Sequence, residues 1–119
     1  MCNLPFCATF LRIKKPLELD ADKGRANSIV KKESSWIYEN SFKTTTVRNI
    51  ELTKPYFHNG AFNTLEEVVD FYNEGGGEGL GLKVNNQTLP SDKLNLNDAE
   101  KRQLIIFLKS LTDISKNKN

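Results

Sequence analysis

Thr64-Leu-Glu-Glu-Val-Val-Asp-Phe-Tyr-Asn-Glu-Gly-Gly-Gly77 is the stretch that decides the fold class. The Thr64 hydroxyl can cap a helix, and Glu67, three residues on, completes a capping box. Leu65, Val68, Val69 and Tyr72 recur at i, i+3, i+4 and i+7, which places them on one helical face. The three glycines from Gly75 then stop the helix, because glycine takes up positive φ without steric cost. Upstream, Asn59-Gly60 is a turn signal. Pro55 biases Lys54 away from helix, and the β-branched residues of Thr44 to Thr53 predict an extended segment. Downstream, Gly75 to Pro90 reads as a loop. Its glycines fit no phosphate cradle: no Gly-Lys-Ser/Thr follows, and Leu82 stands where a dinucleotide fingerprint needs its third glycine. A last helix starts at the cap Asn97, with Asp98 and Glu100 in its first turn where acids complement the macrodipole. Leu104, Phe107, Leu108 and Leu111, widened by Ile105, are its predicted buried stripe.

The remaining sequence sets limits. A chain of 119 residues fits one domain. A formal charge of +2, with Lys14-Lys15 and Lys31-Lys32 as its cationic pairs, is too small to imply nucleic-acid binding. No apolar run approaches the ~20 residues that span a bilayer. The apolar start, Met1 to Ile13, has its charges after rather than before the apolar part and lacks a small-residue cleavage pattern, so the chain as written is expected in the cytoplasm. Cys2 and Cys7 close too short a loop for a stabilising disulfide, and with His58 as the one histidine they do not complete a zinc site. Asp20-Ala-Asp22-Lys-Gly24 fails the EF-hand pattern at later positions and reads as a turn. Up to Asn40 the amphipathic signal is weak, and the tail from Ser115 to Asn119 is polar. Physical reasoning thus predicts a small, mostly helical domain with long loops.

A resemblance adds to this reading. Phe42-Lys-Thr-Thr-Thr-Val-Arg-Asn-Ile-Glu-Leu-Thr53, Pro55-Tyr-Phe-His-Asn-Gly60, the helical block from Thr64 to Asn73 and Phe107-Leu-Lys-Ser-Leu-Thr112 occur in order. Together with Leu19-Asp-Ala-Asp-Lys-Gly-Arg25 they resemble the carboxy-terminal part of bacterial di-haem cytochrome c peroxidases over residues 17–113. The resemblance implies a mainly α, cytochrome c-like helical haem domain, here truncated. Residues 1–41 would be an amino-terminal remnant, residues 42–113 the carboxy-terminal part of the haem domain and residues 114–119 a tail. It also implies haem c as cofactor, reduction of hydrogen peroxide with electrons from a small redox protein, and a periplasmic location. Haem c attachment needs Cys-x-x-Cys-His. These residues do not contain it: four residues separate Cys2 from Cys7, and Ala8 follows where histidine is required. The chain by itself is therefore expected to bind no haem and to be inactive, its alternatives being a haem-free remnant or part of a maturation-type di-haem oxidase acting on a protein substrate.

By the resemblance, Tyr72, fourteen residues after His58, falls where the carboxy-terminal haem takes its second axial ligand. Most of the family has methionine there, and a branch resembling the methylamine dehydrogenase maturation enzyme has tyrosine. On its own residues, Tyr72 reads equally as a core tyrosine. His58 resembles a residue supporting the haem pocket, against the plainer reading of a hydrogen-bonded turn histidine. Arg48 is expected to face a haem propionate, since a guanidinium fork matches a carboxylate, or else to brace a loop. Trp36 has no assigned partner, and no catalytic residue is carried over. Without haem, the helix face from Leu65 to Tyr72 is expected to be poorly packed.

Overall fold

The computed structural model describes residues 19–28 and 32–113. Cys2, Cys7, the apolar start and the tail after Asp113 lie outside the described residues. The architecture is mainly α with long loops, as the sequence implies. Three α-helices follow one another as α1 (Leu65–Asn73), α2 (Gly76–Gly79) and α3 (Asp98–Ser110). Short 3-10 helices precede them at Arg25–Ser28, Lys32–Tyr38 and Ile50–Leu52. Among the described residues the β contacts are two isolated bridges, Gly24 with Ser41 and Tyr56 with Phe62.

The caps form as the side chains dictate. In α1 the Glu67 backbone N–H donates to Thr64 Oγ1 at 3.2 Å, and Glu67 Oε2 accepts from the backbone N–H of Thr64 at 3.2 Å. In α3 Asn97 Oδ1 accepts from the Ala99 and Glu100 backbones at 2.9 and 3.0 Å. Each cap satisfies donors that the helix leaves without a partner.

Two expectations are corrected. The predicted loop after α1 contains the one-turn helix α2, held from outside by Gln87. That side chain accepts from the Glu78 N–H at 3.0 Å and donates to the carbonyls of Gly75 at 3.0 Å and Leu89 at 2.7 Å. The glycines permit this close approach: a Cβ on Gly79 would collide with the Glu74 carbonyl. Thr44 to Thr53 forms no strand. Asn49 turns into the left-handed region at φ 58, the Ile50–Leu52 helix follows, and among the described residues no neighbouring strand pairs with it.

The core is Tyr56, Leu65, Val69 and Ile105, with Ile50, Phe62, Val68 and Leu108 packed against it. It differs from the predicted α3 stripe. Ile105 is 9% exposed, whereas Leu104 is 40% and Phe107 56% exposed. Two ion pairs accompany this rotation. Lys101 Nζ meets Asp70 Oδ1 of α1 at 2.8 Å, and Lys109 Nζ reaches Glu66 Oε1 at 4.0 Å. Lys101, Ile105, Leu108 and Lys109 share one helical face, so the lysine pairs and the packed residues lie on the same side of α3. Buried Asn73 fixes the approach to α3: its carbonyl accepts from Leu94 N–H at 2.9 Å and its Oδ1 from Leu96 N–H at 2.8 Å. The expected loose packing of the Leu65–Tyr72 face holds at one end only. Leu65 and Val69 are buried, and Tyr72 is half exposed.

Candidate functional site

The end of α1, the turn at 57–62, the chain from Leu82 to Leu89 and the segment around Asp20 and Phe42 enclose a concavity of about 520 Å³. That volume is within the range of small-molecule and cofactor sites. One wall is aromatic. Phe57 meets Phe62 at 5.1 Å and Phe71 at 5.2 Å between ring centroids, both edge-on, with Tyr72 6.0 Å away. Edge-to-face contacts of this kind stabilise beyond simple burial.

Phe57 occupies that wall at a cost in backbone strain. Its φ of 65° is left-handed, an outlier for a bulky residue. The conformation is bracketed by Tyr56 N–H donating to the Phe62 carbonyl at 2.7 Å and Gly60 N–H donating to the Phe57 carbonyl at 3.2 Å. The result separates neighbours: Tyr56 goes to the core, its hydroxyl donating to the Ile50 carbonyl at 3.0 Å, and Phe57 lines the concavity. Burial, with Glu66 and Glu51 nearby, raises the Tyr56 phenol above its ordinary range.

Of the residues singled out in the sequence, Tyr72 and His58 come together on the lining. Tyr72 is 44% exposed, which sets aside its reading as a core tyrosine. His58 stacks on Phe42 with centroids 3.8 Å apart and planes 14° from parallel. Its Nε2 lies 3.4 Å from Asp20 Oδ2. Asp20 in turn accepts from the Asp22 backbone N–H at 2.9 Å and from Asn59 Nδ2 at 2.8 Å. These donors, the backbone one foremost, hold its carboxyl below the usual carboxylate range. Asp20 had been legible only as a turn residue, which it also is; its partnership with His58 spans 38 positions and left no local signal.

Arg48 is elsewhere. Its Nη2 donates to Asp113 Oδ2 at 2.8 Å, the side chain is 70% exposed, and it does not line the concavity. The cause is local: Asn49 accepts from Asp113 N–H at 2.6 Å and donates its own N–H to the Leu111 carbonyl at 3.1 Å, so the chain end brings a carboxylate to the guanidinium. In this arrangement Arg48 braces the loop against Asp113. Trp36 is exposed; its carbonyl accepts from Asn86 Nδ2 at 2.9 Å.

The lining carries, among the described residues, Asp20, Asp22 and His58 and no lysine or arginine. Among the described residues no group of three or more His, Cys, Asp or Glu could hold a metal ion, and no helix is long and apolar enough to cross a membrane.

Against known proteins, the chain is 46% identical over 71 residues to a cytochrome-c peroxidase, IdrP2, of Pseudomonas sp. (strain SCT), covering 60% of this chain and 17% of the relative. The sequence is peroxidase-like. The peroxidase-like stretch is also 38% identical over 73 residues to cytochrome c551 peroxidase of Nitrosomonas europaea, covering 61% of this chain and 17% of the relative. It is 33% identical over 88 residues to methylamine utilization protein MauG of Paracoccus denitrificans, covering 60% of this chain and 23% of the relative. The peroxidase-like chain thus spans about a sixth of the length of the curated peroxidases it matches. No family model matches it, and no solved structure does.

Proposed function

We propose that residues 42–113 are the carboxy-terminal part of a haem-binding domain of a di-haem cytochrome c peroxidase-like protein, with Tyr72 as the side chain that would meet the iron. The observation that carries this is a half-exposed phenol on the aromatic wall of a concavity of cofactor size. The fit is one-sided. Tyr72 supplies a single oxygen donor, and Phe57, Phe62 and Phe71 offer faces and edges suited to a flat conjugated ring. Among the described residues no group of side chains could cage a bare metal ion, which suits an iron carried by a macrocycle.

When bound, haem would supply redox-active iron for peroxide reduction. The residues of this chain would shape that chemistry. A tyrosinate is a hard, anionic donor, so Tyr72 favours the oxidised metal more than a thioether would. Leu82, Val84 and Leu89 add apolar surface to the lining, which would limit water around a bound group. In the intact protein a small redox protein would deliver electrons, in the periplasm. The 119 residues hold no Cys-x-x-Cys-His, so this polypeptide expressed by itself is expected to come out colourless and without peroxidase activity.

A second reading, a maturation-type oxidase acting on a protein, is favoured by tyrosine at position 72 and by the likeness to MauG.

The test is absorption spectroscopy of the longer, haem-bearing protein of which these residues would form the carboxy-terminal part. A tyrosinate-to-iron charge-transfer band should appear, vanish in Tyr72→Phe and persist in Tyr38→Phe. The same band in Tyr72→Phe would remove Tyr72 from the site.

A further inference from the structure

The polar edge of the concavity holds a histidine to which the haem reading gives only a general supporting place. His58 is the one histidine of the chain, and its stacking on Phe42 fixes the plane of its ring. Its Nε2 lies 3.4 Å from Asp20 Oδ2. The carboxylate does not drift, because the Asp22 backbone N–H donates to Oδ1 at 2.9 Å and Asn59 Nδ2 to Oδ2 at 2.8 Å. Those two donors also favour its ionised form, which can only accept hydrogen bonds. The ring nitrogen that faces it must therefore be the one carrying hydrogen. In a neutral imidazole the other nitrogen is then bare. No hydrogen bond from the described residues occupies Nδ1.

From this we infer that Asp20 is a positioning residue: it locks His58 as the Nε2–H tautomer and so makes Nδ1 a hydrogen-bond acceptor on the concavity wall, built for a neutral donor on a flat ligand. The ligand class follows from charge as well as from the tautomer. Asp20 and Asp22 both line this edge, and among the described residues the lining carries no lysine or arginine. A hydroxyl can approach Nδ1, whereas a carboxylate meets two like charges. Acid substituents of a planar ligand must point away from this edge. The aromatic wall supplies the ring contacts and His58 the one directional polar contact, a division common in cofactor sites. The inference concerns one proton on one ring, goes beyond the haem reading and does not depend on it.

A single histidine makes the experiment direct. Long-range proton–nitrogen correlation spectra of the nitrogen-15-labelled full chain, near pH 8 where an ordinary histidine is neutral, report which ring nitrogen bears hydrogen. The Nε2–H form should dominate. Asp20→Asn keeps an acceptor for the Asp22 N–H, and so preserves the turn, but removes the charge. It should lower the ratio of tautomers severalfold, by removing the charge 3.4 Å from Nε2. Phenol, a flat ring with a neutral donor, should shift the Nδ1 resonance, and benzoate at the same concentration should not. Four results would overturn the inference: a dominant Nδ1–H form in the native chain, an unchanged ratio in a folded Asp20→Asn, no response to phenol, or an equal response to benzoate. Where Asp20→Asn does not fold, the native spectrum and the two probes still decide.

Discussion

Replacing Ile105 by alanine probes the rotation of α3 about its own axis. Ile105 is 9% exposed and packs with Leu65 and Val69 of α1, so nearly all of its side chain leaves water on folding. Alanine removes three carbons, worth ~2.4 kcal/mol at ~0.8 kcal/mol each. Incomplete collapse of the space left behind brings the expected loss to about 3 kcal/mol. For a domain of this size, that is a large share of the whole stability. Ile105→Val, with an expected loss of about 1 kcal/mol, keeps the comparison measurable if the alanine variant unfolds. The reference is Leu104→Ala, on a residue 40% exposed, which should cost less than about 1 kcal/mol. Urea unfolding followed by far-ultraviolet circular dichroism gives all three values from the midpoint and slope. A Leu104→Ala loss equal to that of Ile105→Ala would mean that the helix sits in the other register.

The remaining predictions follow from the loops. Gln87→Ala leaves the Glu78 N–H and the Gly75 and Leu89 carbonyls without their partner, so it should cost roughly 1–3 kcal/mol and broaden the amide signals of α2. Gly75→Ala combines a φ of 87° with a Cβ driven into the Ser91 carbonyl. A loss of at least about 1–3 kcal/mol is expected, read as a lower melting temperature. Asp20 has a folded pKa below its unfolded value, so its contribution is complete above about pH 4 and disappears as pH falls through the lower folded value. Asp20→Asn should therefore flatten the acid side of a stability–pH curve measured by urea unfolding.

Both long helices were legible because their signals are local. Thr64 with Glu67 and Asn97 with Glu100 lie within one turn of each other, and each pair forms the cap its chemistry suggests. The rotation of α3 was not legible. Leu104 to Leu108 is an unbroken apolar run, so periodicity offers no preferred face, and the face observed is the one whose lysines meet Asp70 and Glu66 on another helix. The helix α2 escaped for a related reason: a glycine-rich turn has almost no intrinsic helical preference, and the side chain that holds it arrives nine residues after Glu78. At the site, Tyr72 and His58 stood out through family likeness. Their neighbourhood depends on the left-handed turn at Phe57 and on Asp20 folding back from far upstream, neither of which a window along the chain can register.

The left-handed backbone of Phe57 also bears on any attempt to harden this molecule. Asparagine or glycine at that position would relax the main chain, and a screen for thermal resistance would select either one. Both replacements delete the ring that joins Phe62, Phe71 and Tyr72, so the sturdier protein would have a hollowed binding wall. Durability and recognition are thus in conflict at one torsion angle, and sequences chosen for the first would drift away from the second.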